Sequence, residues 1–254
     1  MKRFLPLAAA LLTLGCLIPN CAVVPETGRR QLLSMSPEEE TKLGLQAFQQ
    51  YKQKKPISNN TALAARVRRV GQRLASVANV PGARWEFILF EDKEPNAFAV
   101  PGGKVGINTG IMIIAQTDAG LATIIGHEIA HLTARHAGER VSQKRVAQIG
   151  ASVLGLVLPE AGLLTSGVGV GAQLGLLRFS RAHELEADQI GTLLMARAGY
   201  DPREAIGFWQ RFANDKKQKG SGSKHEFLST HPLDERRIQA LRAHVPRAMA
   251  EYRG

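Results

Sequence analysis

The sequence predicts an α+β fold, mainly helical, with a small β-sheet ahead of one long helix. Three observations predict it. Strand-like runs are confined to residues 85–108, broken by Pro and Gly turns. Everything from Asp118 onward reads helical. The chain has 254 residues, 44% hydrophobic and 22% charged, enough to bury one core without disulfides. No internal repeat or second core is evident, so residues 21–254 read as one domain.

The elements follow in order. Met1-Lys2-Arg3 is a short positive segment, and Phe4 to Ile18 follows uncharged, rich in Leu and Ala. This is the layout of an export signal, too short for a membrane span of roughly twenty residues. The chain's two cysteines, Cys16 and Cys21, stand at the end of this leader, which excludes a disulfide scaffold and suggests a lipidated N-terminus. Gly15-Cys16 fits the local chemistry of lipoprotein cleavage, whereas Cys21 follows a less suitable Asn20. Residues 1–20 are the signal peptide if Cys21 carries the lipid. Neither cysteine is followed by Asp, which favours sorting to the outer membrane of a Gram-negative bacterium.

Ser36-Pro37-Glu38-Glu39 is a helix start, with Ser36 and Glu39 as a capping box and Pro37 in the first turn. Leu63, Val67, Val70, Leu74 and Val77 recur at helical spacing, so Thr61–Asn79 is predicted as an amphipathic helix. Trp85–Phe90 is a strand, and Ala97–Val100 with Val105–Asn108 is a hairpin turning at Pro101-Gly102-Gly103-Lys104. Asp118 is the expected cap of a helix running to about Ala137.

Residues 146–177 hold one charged side chain, Glu160, and seven glycines. They read as a mobile apolar flap, with a membrane-inserted hairpin as the alternative. The basic Gly/Ser stretch Lys216–Lys224 reads as a surface loop.

The formal charge is +11, from 33 Lys and Arg against 22 Asp and Glu. It suits an anionic membrane surface. No recognition motif points to nucleic acid, so none is expected as a partner.

The chemistry concentrates at His127-Glu128-Ile129-Ala130-His131. Positions i and i+4 share a helical face, so two imidazoles can bind one metal ion. The glutamate beside the first can reach a water there. Neutral nitrogen ligands suit zinc, one ion per chain, and a catalytic zinc needs a third protein ligand and an open position. Downstream, Glu184 and Asp188 share a face of a second helix, while Glu186 lies about 200° around from Glu184. One of the sharing carboxylates could bind metal while the other holds a histidine's second nitrogen.

These residues resemble the zinc peptidase family M48, which includes the CAAX prenyl protease, the HtpX heat-shock protease and BepA. Asn96-Ala97-Phe98 with Pro101-Gly102-Gly103, the HEIAH motif, Ser180-Arg181 with Glu184-Leu185-Glu186-Ala187-Asp188, and Ser229-Thr230-His231-Pro232 with Arg237-Ile238 carry the likeness. It implies a zincin-like (gluzincin) fold. It also implies His127, His131 and Glu184 as zinc ligands, Glu128 as general base and Asp188 as support. His231 is implied as a regulatory fourth ligand, in a segment that Arg237 could hold. His136, His183, His225 and His244 match no ligand position and are expected at the surface or in support. Neither the membrane helices of the CAAX protease nor the repeat domain of BepA is expected. The likeness is to short exported lipoprotein members, whose mature start resembles Cys21-Ala22-Val23 and favours Cys21.

The expected activity is that of a zinc-dependent endopeptidase in the periplasm, clearing unfolded or misassembled envelope proteins. Asn96 and the strand Val105, Gly106, Ile107 and Asn108 are expected to offer substrate a free edge. The alternative is a non-proteolytic chaperone or binding module with a structural zinc, in which Glu128 has no task.

Overall fold

The computed structural model describes residues 20–157, 179–219 and 226–254. A short antiparallel hairpin opens it, β1 (Asn20–Val23) against β2 (Arg30–Leu33). Cys21 pairs with Leu32 in this hairpin. Cys16 and the other leader residues up to 19 lie outside the described residues.

Helix α1 (Pro37–Lys54) starts as its sequence dictates: the Ser36 hydroxyl accepts from Glu39 N, and the Glu39 carboxylate accepts from Ser36 N at 2.8 Å. Helix α2 spans Thr61–Ala75 with Asn60 as its cap, ending short of the predicted Asn79. Val77 and Ala78 bond back only three residues, to Leu74 and Ala75, so the chain tightens out of the α-helix there.

Strands β3 (Glu86–Phe90), β4 (Ala97–Val100) and β5 (Lys104–Asn108) form one sheet in the order β3-β5-β4. The β4–β5 hairpin is antiparallel and turns through Gly102 and Gly103, whose φ of 94° and 79° favour glycine. Strand β3 pairs with β5 in parallel. This corrects the expected substrate edge: Val105, Gly106, Ile107 and Asn108 form the central strand, bonded on both sides. Their burial explains it, because Val105, Ile107 and Asn108 are fully inside and nothing alternates toward solvent. The outer side of β3 is bonded by the stretch before α2, through Ser58 N to Leu89 O and Glu91 N to Pro56 O. Among the described residues, the outer side of β4 pairs with no other strand.

Helices α3 (Ile111–Ala115) and α4 (Asp118–Thr133) follow. Thr117, not Asp118, caps α4, accepting from Gly120 N; Asp118 in the first turn pairs with Arg66 and Arg69. Helix α4 stops at Thr133, short of the predicted Ala137, because Arg135 adopts a φ of 53° and the chain restarts as α5 (His136–Val157). Residues 146–157 therefore continue a helix; the rest of the expected flap, from 158 on, lies outside the described residues. Among the described residues, no helix is long and apolar enough to cross a membrane.

Helices α6 (Arg181–Arg197), α7 (Glu204–Lys219), α8 (Glu226–Thr230) and α9 (Glu235–Met249) complete the fold. Lys216–Lys219 belongs to α7 rather than to the expected loop; residues 220–225 lie outside the described part. Gly120–Thr133 of α4 is buried all round, with the sheet, α2, α6 and α7 against it. Where α4 crosses α6, Gly126 faces Gly191. A Cβ on Gly191 would stand 3.0 Å from His127 N and 3.1 Å from the Gly126 carbonyl carbon. This close approach brings the downstream carboxylates of α6 beside the histidines of α4.

The crossing yields a first prediction. Gly191→Val should push the two helices apart, costing about 1–3 kcal/mol as overpacking does, and should loosen metal binding with it. Urea unfolding and metal titration would read both; unchanged values would mean that the close approach does not set the site.

Candidate metal centre

His127 and His131 lie one turn apart on α4, and Glu184 enters from α6. Their exposures are 1%, 3% and 0%. His127 Nε2 is 3.1 Å from His131 Nε2, and each is 3.5 Å from one Glu184 oxygen. Ligands about 2.0–2.1 Å from one tetrahedral ion sit about 3.3–3.4 Å apart, so the three edges fit a single metal ion. His231 brings a fourth donor, and all four atoms fall within 4.8 Å of one another. Glu184 Oε1 and His231 Nε2, both members of this donor set, are buried without a hydrogen-bond partner, as donors reserved for a cation would be.

The groups behind the donors hold them in place. His127 Nδ1 is 2.9 Å from Asp188 Oδ1. Arg237, itself 2% exposed, donates to both Asp188 oxygens at 2.8 Å and to Glu184 Oε2 at 2.7 Å. Its guanidinium lies 4.5 Å from the centre of the Trp209 ring. A buried carboxylate pair costs free energy unless a cation answers it, and Arg237 answers half of that charge. The remainder raises the His127 pKa: burial pulls it down, but the bonds from Asp188 and Glu184 outweigh burial and lift it to about 9. A metal cation in that field takes the place of the proton.

Arg237 also donates to Pro232 O at 3.1 Å, tying down the turn that carries His231. The Thr230 hydroxyl donates to Phe227 O and so accepts from His231 Nδ1 at 2.8 Å. His231 Nε2 is left as a lone pair facing the cluster. Burial lowers its pKa to about 4, so the ring is neutral. It stacks on Phe227 at 4.3 Å.

Glu128 lies between His231 and the β4 strand. Its Oε2 accepts from Ala99 N at 3.2 Å, and its Oε1 stands 3.6 Å from His231 Nε2. Burial pushes its pKa up to about 8, close to neutral pH, where a carboxylate can both take and return a proton. Asn96, Ala97, Phe98, Glu128, Phe179 and His231 face a narrow cleft of about 70 Å³. That is far below the 300–1,000 Å³ of ordinary ligand pockets.

The structure thus gathers Glu128, His127, His131, Glu184, Asp188, His231 and Arg237 in one place, with Asn96 on the cleft. It leaves Val105, Gly106 and Ile107 in the sheet interior. Asn108 Oδ1 accepts from Tyr51, and its amide donates to Glu94 O. Glu186 turns away from the donors to His136 at 2.9 Å. His136 and His183, at 0% and 2% exposure, are interior residues rather than surface ones. Periodicity could not reveal His136, because the Arg135 turn breaks the helix between it and His131. His225 lies outside the described residues, and His244 sits on α9, apart from the converging donors.

Two histidines and a glutamate about one point, with a second carboxylate beside them next to strand β4, define a metallopeptidase centre. The chain belongs to peptidase family M48, whose sequence model matches residues 61–245. It is 41% identical over 179 residues to the mitochondrial metalloendopeptidase OMA1 of Saccharomyces cerevisiae, covering 67% of this chain and 50% of that protein. The OMA1 of Schizosaccharomyces pombe is 31% identical over 258 residues, covering 98% and 74%. The beta-barrel assembly-enhancing protease of Escherichia coli K12 is 28% identical over 253 residues, covering 95% and 52%. The chain spans about half the length of the Saccharomyces and Escherichia relatives.

Metal loss should follow the donor set. Glu184→Gln is expected to bind zinc much more weakly than the unaltered chain, and a chelator should lower the melting temperature of the latter. Zinc at a hundred times its dissociation constant should add about 2.7 kcal/mol. Calorimetry and metal analysis read this out, and full zinc retention by Glu184→Gln would remove Glu184 from the ligand set.

Proposed function

We propose that residues 21–254 act as one zinc endopeptidase domain that hydrolyses unfolded or misassembled proteins of the bacterial envelope. A lipid on Cys21, or else Cys16, would hold it at the periplasmic face of the outer membrane. The observation that carries the reading is Glu128, a buried carboxylate with one free oxygen between the donor cluster and an unpaired strand edge. A structural metal has no use for that group.

Zinc bound by His127, His131 and Glu184 would supply Lewis-acid polarisation of a peptide carbonyl and would acidify a water. Glu128 would take a proton from the water as it adds to the peptide carbonyl and would return it to the amine as the C–N bond breaks. A substrate in extended form adds to β4, whose Ala99 amide is the donor nearest the base. Backbone pairing of this kind accepts many sequences, which suits a clearance enzyme. The name of the Escherichia relative, a protease that enhances β-barrel assembly, supports envelope proteins as the substrate class.

His231 makes the resting enzyme slow. Its neutral Nε2 faces the donor cluster, where it can take the fourth position, and with Phe179 it narrows the cleft. A client must shift the segment of Thr230, His231 and Pro232 to enter.

One assay addresses both roles. Casein cleavage by Glu128→Gln should fall a hundredfold or more while its zinc content stays normal. His231→Ala should cleave faster than the unaltered chain. Near-normal cleavage by Glu128→Gln would refute the peptidase reading; slower cleavage by a well-folded His231→Ala would make His231 a helper of the reaction, not its restraint.

A further inference from the structure

Behind the metal centre, a second buried set of groups runs from His131 to the N-terminal hairpin, and no role assigned so far uses it. His131 Nδ1 lies 2.8 Å from His136 Nδ1. His136 Nε2 lies 2.9 Å from Glu186 Oε2. Glu186 accepts from the Thr27 hydroxyl and, at 2.6 Å, from Arg29 Nε. The far side of the same guanidinium forks onto Glu139 at 2.7 and 3.0 Å. Glu139 also faces His183 Nε2 at 3.1 Å, and the His183 and His136 rings stack at 4.4 Å.

The partners fix the protons. A carboxylate gripped by an arginine and a hydroxyl accepts hydrogen bonds and donates none, so the proton between Glu186 and His136 sits on His136 Nε2. The two facing Nδ1 atoms cannot both carry protons at 2.8 Å. His136 Nδ1 is therefore the acceptor and His131 Nδ1 the donor. That leaves the lone pair of His131 on Nε2, aimed at His127 and Glu184. The reverse assignment would oppose two lone pairs between His136 and Glu186 and put a hydrogen on the atom that must bind the metal.

We propose that Arg29, Glu186 and His136 are positioning residues that lock His131 in the tautomer and ring orientation required to hold the metal. The loop between β1 and β2 is thereby a working part of the site. The two ligand histidines are then supported alike. His127 is backed directly by Asp188 and Arg237. His131 sits near the end of α4, where its Nδ1 meets the His136 ring rather than a carboxylate, and is backed through that intervening imidazole by Glu186 and Arg29. Such supports commonly set metal affinity over one to two orders of magnitude. The proposal rests on the metal-centre reading, and zinc binding by the unaltered chain tests that reading separately.

The full chain, freed of metal, is titrated with zinc against a chromophoric chelator. His136→Phe should bind zinc roughly tenfold to a hundredfold more weakly. His136→Gln should recover most of the loss, because its amide accepts from His131 and donates to Glu186 with the same polarity. A packing role would give the opposite order, since Phe keeps the ring. Arg29→Ala should weaken zinc in the same direction as His136→Phe. Nitrogen-15 NMR of the metal-free, unaltered chain needs no variant: His131 should carry its proton on Nδ1. A proton on Nε2, equal zinc affinity for His136→Phe, or a Gln variant no better than Phe would each overturn the relay. Failure of the unaltered chain to bind zinc would overturn the metal centre itself.

Discussion

The concentration of carboxylates in the buried interior governs this structure. Glu128, Glu184, Glu186 and Asp188 are all nine-tenths or more buried, and Glu139 joins them. Charges in such a place demand partners. Two arginines answer from opposite sides: Arg237 on α9 takes Asp188 and Glu184, and Arg29 in the first hairpin takes Glu186 and Glu139. Between them the histidines of α4 face a field that still favours one more cation. The Gly126–Gly191 crossing makes this possible by letting two helix backbones approach closely enough for side chains to meet across them.

The same packing separates the two carboxylate roles. Glu184, bonded to Arg237, is held well below the ordinary carboxylate range although burial opposes this. Glu128 has no arginine bonded to it among the described residues, and burial pushes it upward. One glutamate is held toward its anionic form, fit for a cation, and its neighbour in space is held toward proton exchange. Sequence neighbours Glu184 and Glu186 also diverge, because two residues along a helix turn them to different faces.

Much of the centre was legible because its signals are local. His127, Glu128 and His131 sit within two turns of one helix, and Glu184 and Asp188 within two turns of another. The Ser36–Glu39 capping box also depends only on near neighbours. What depended on distant pairing was not legible. Nothing in Trp85–Phe90 says that it joins Lys104–Asn108 in parallel, so the hairpin's second strand looked like an edge. Arg29 and Glu186 are 157 positions apart, and His136 lies past a left-handed residue that ends the helical count. The resemblance to family M48 supplied the choice of Glu184 over Asp188 as ligand, which helix spacing alone leaves open.

The most direct test is the position of the metal. A crystal of the zinc-loaded chain, measured across the zinc absorption edge, locates the ion without reference to activity. This account expects one anomalous peak about 2.0–2.2 Å from His127 Nε2, His131 Nε2 and a Glu184 oxygen, with Glu128 outside the coordination sphere. A peak elsewhere, or one bound by Glu128 or Glu186 in place of Glu184, would contradict it.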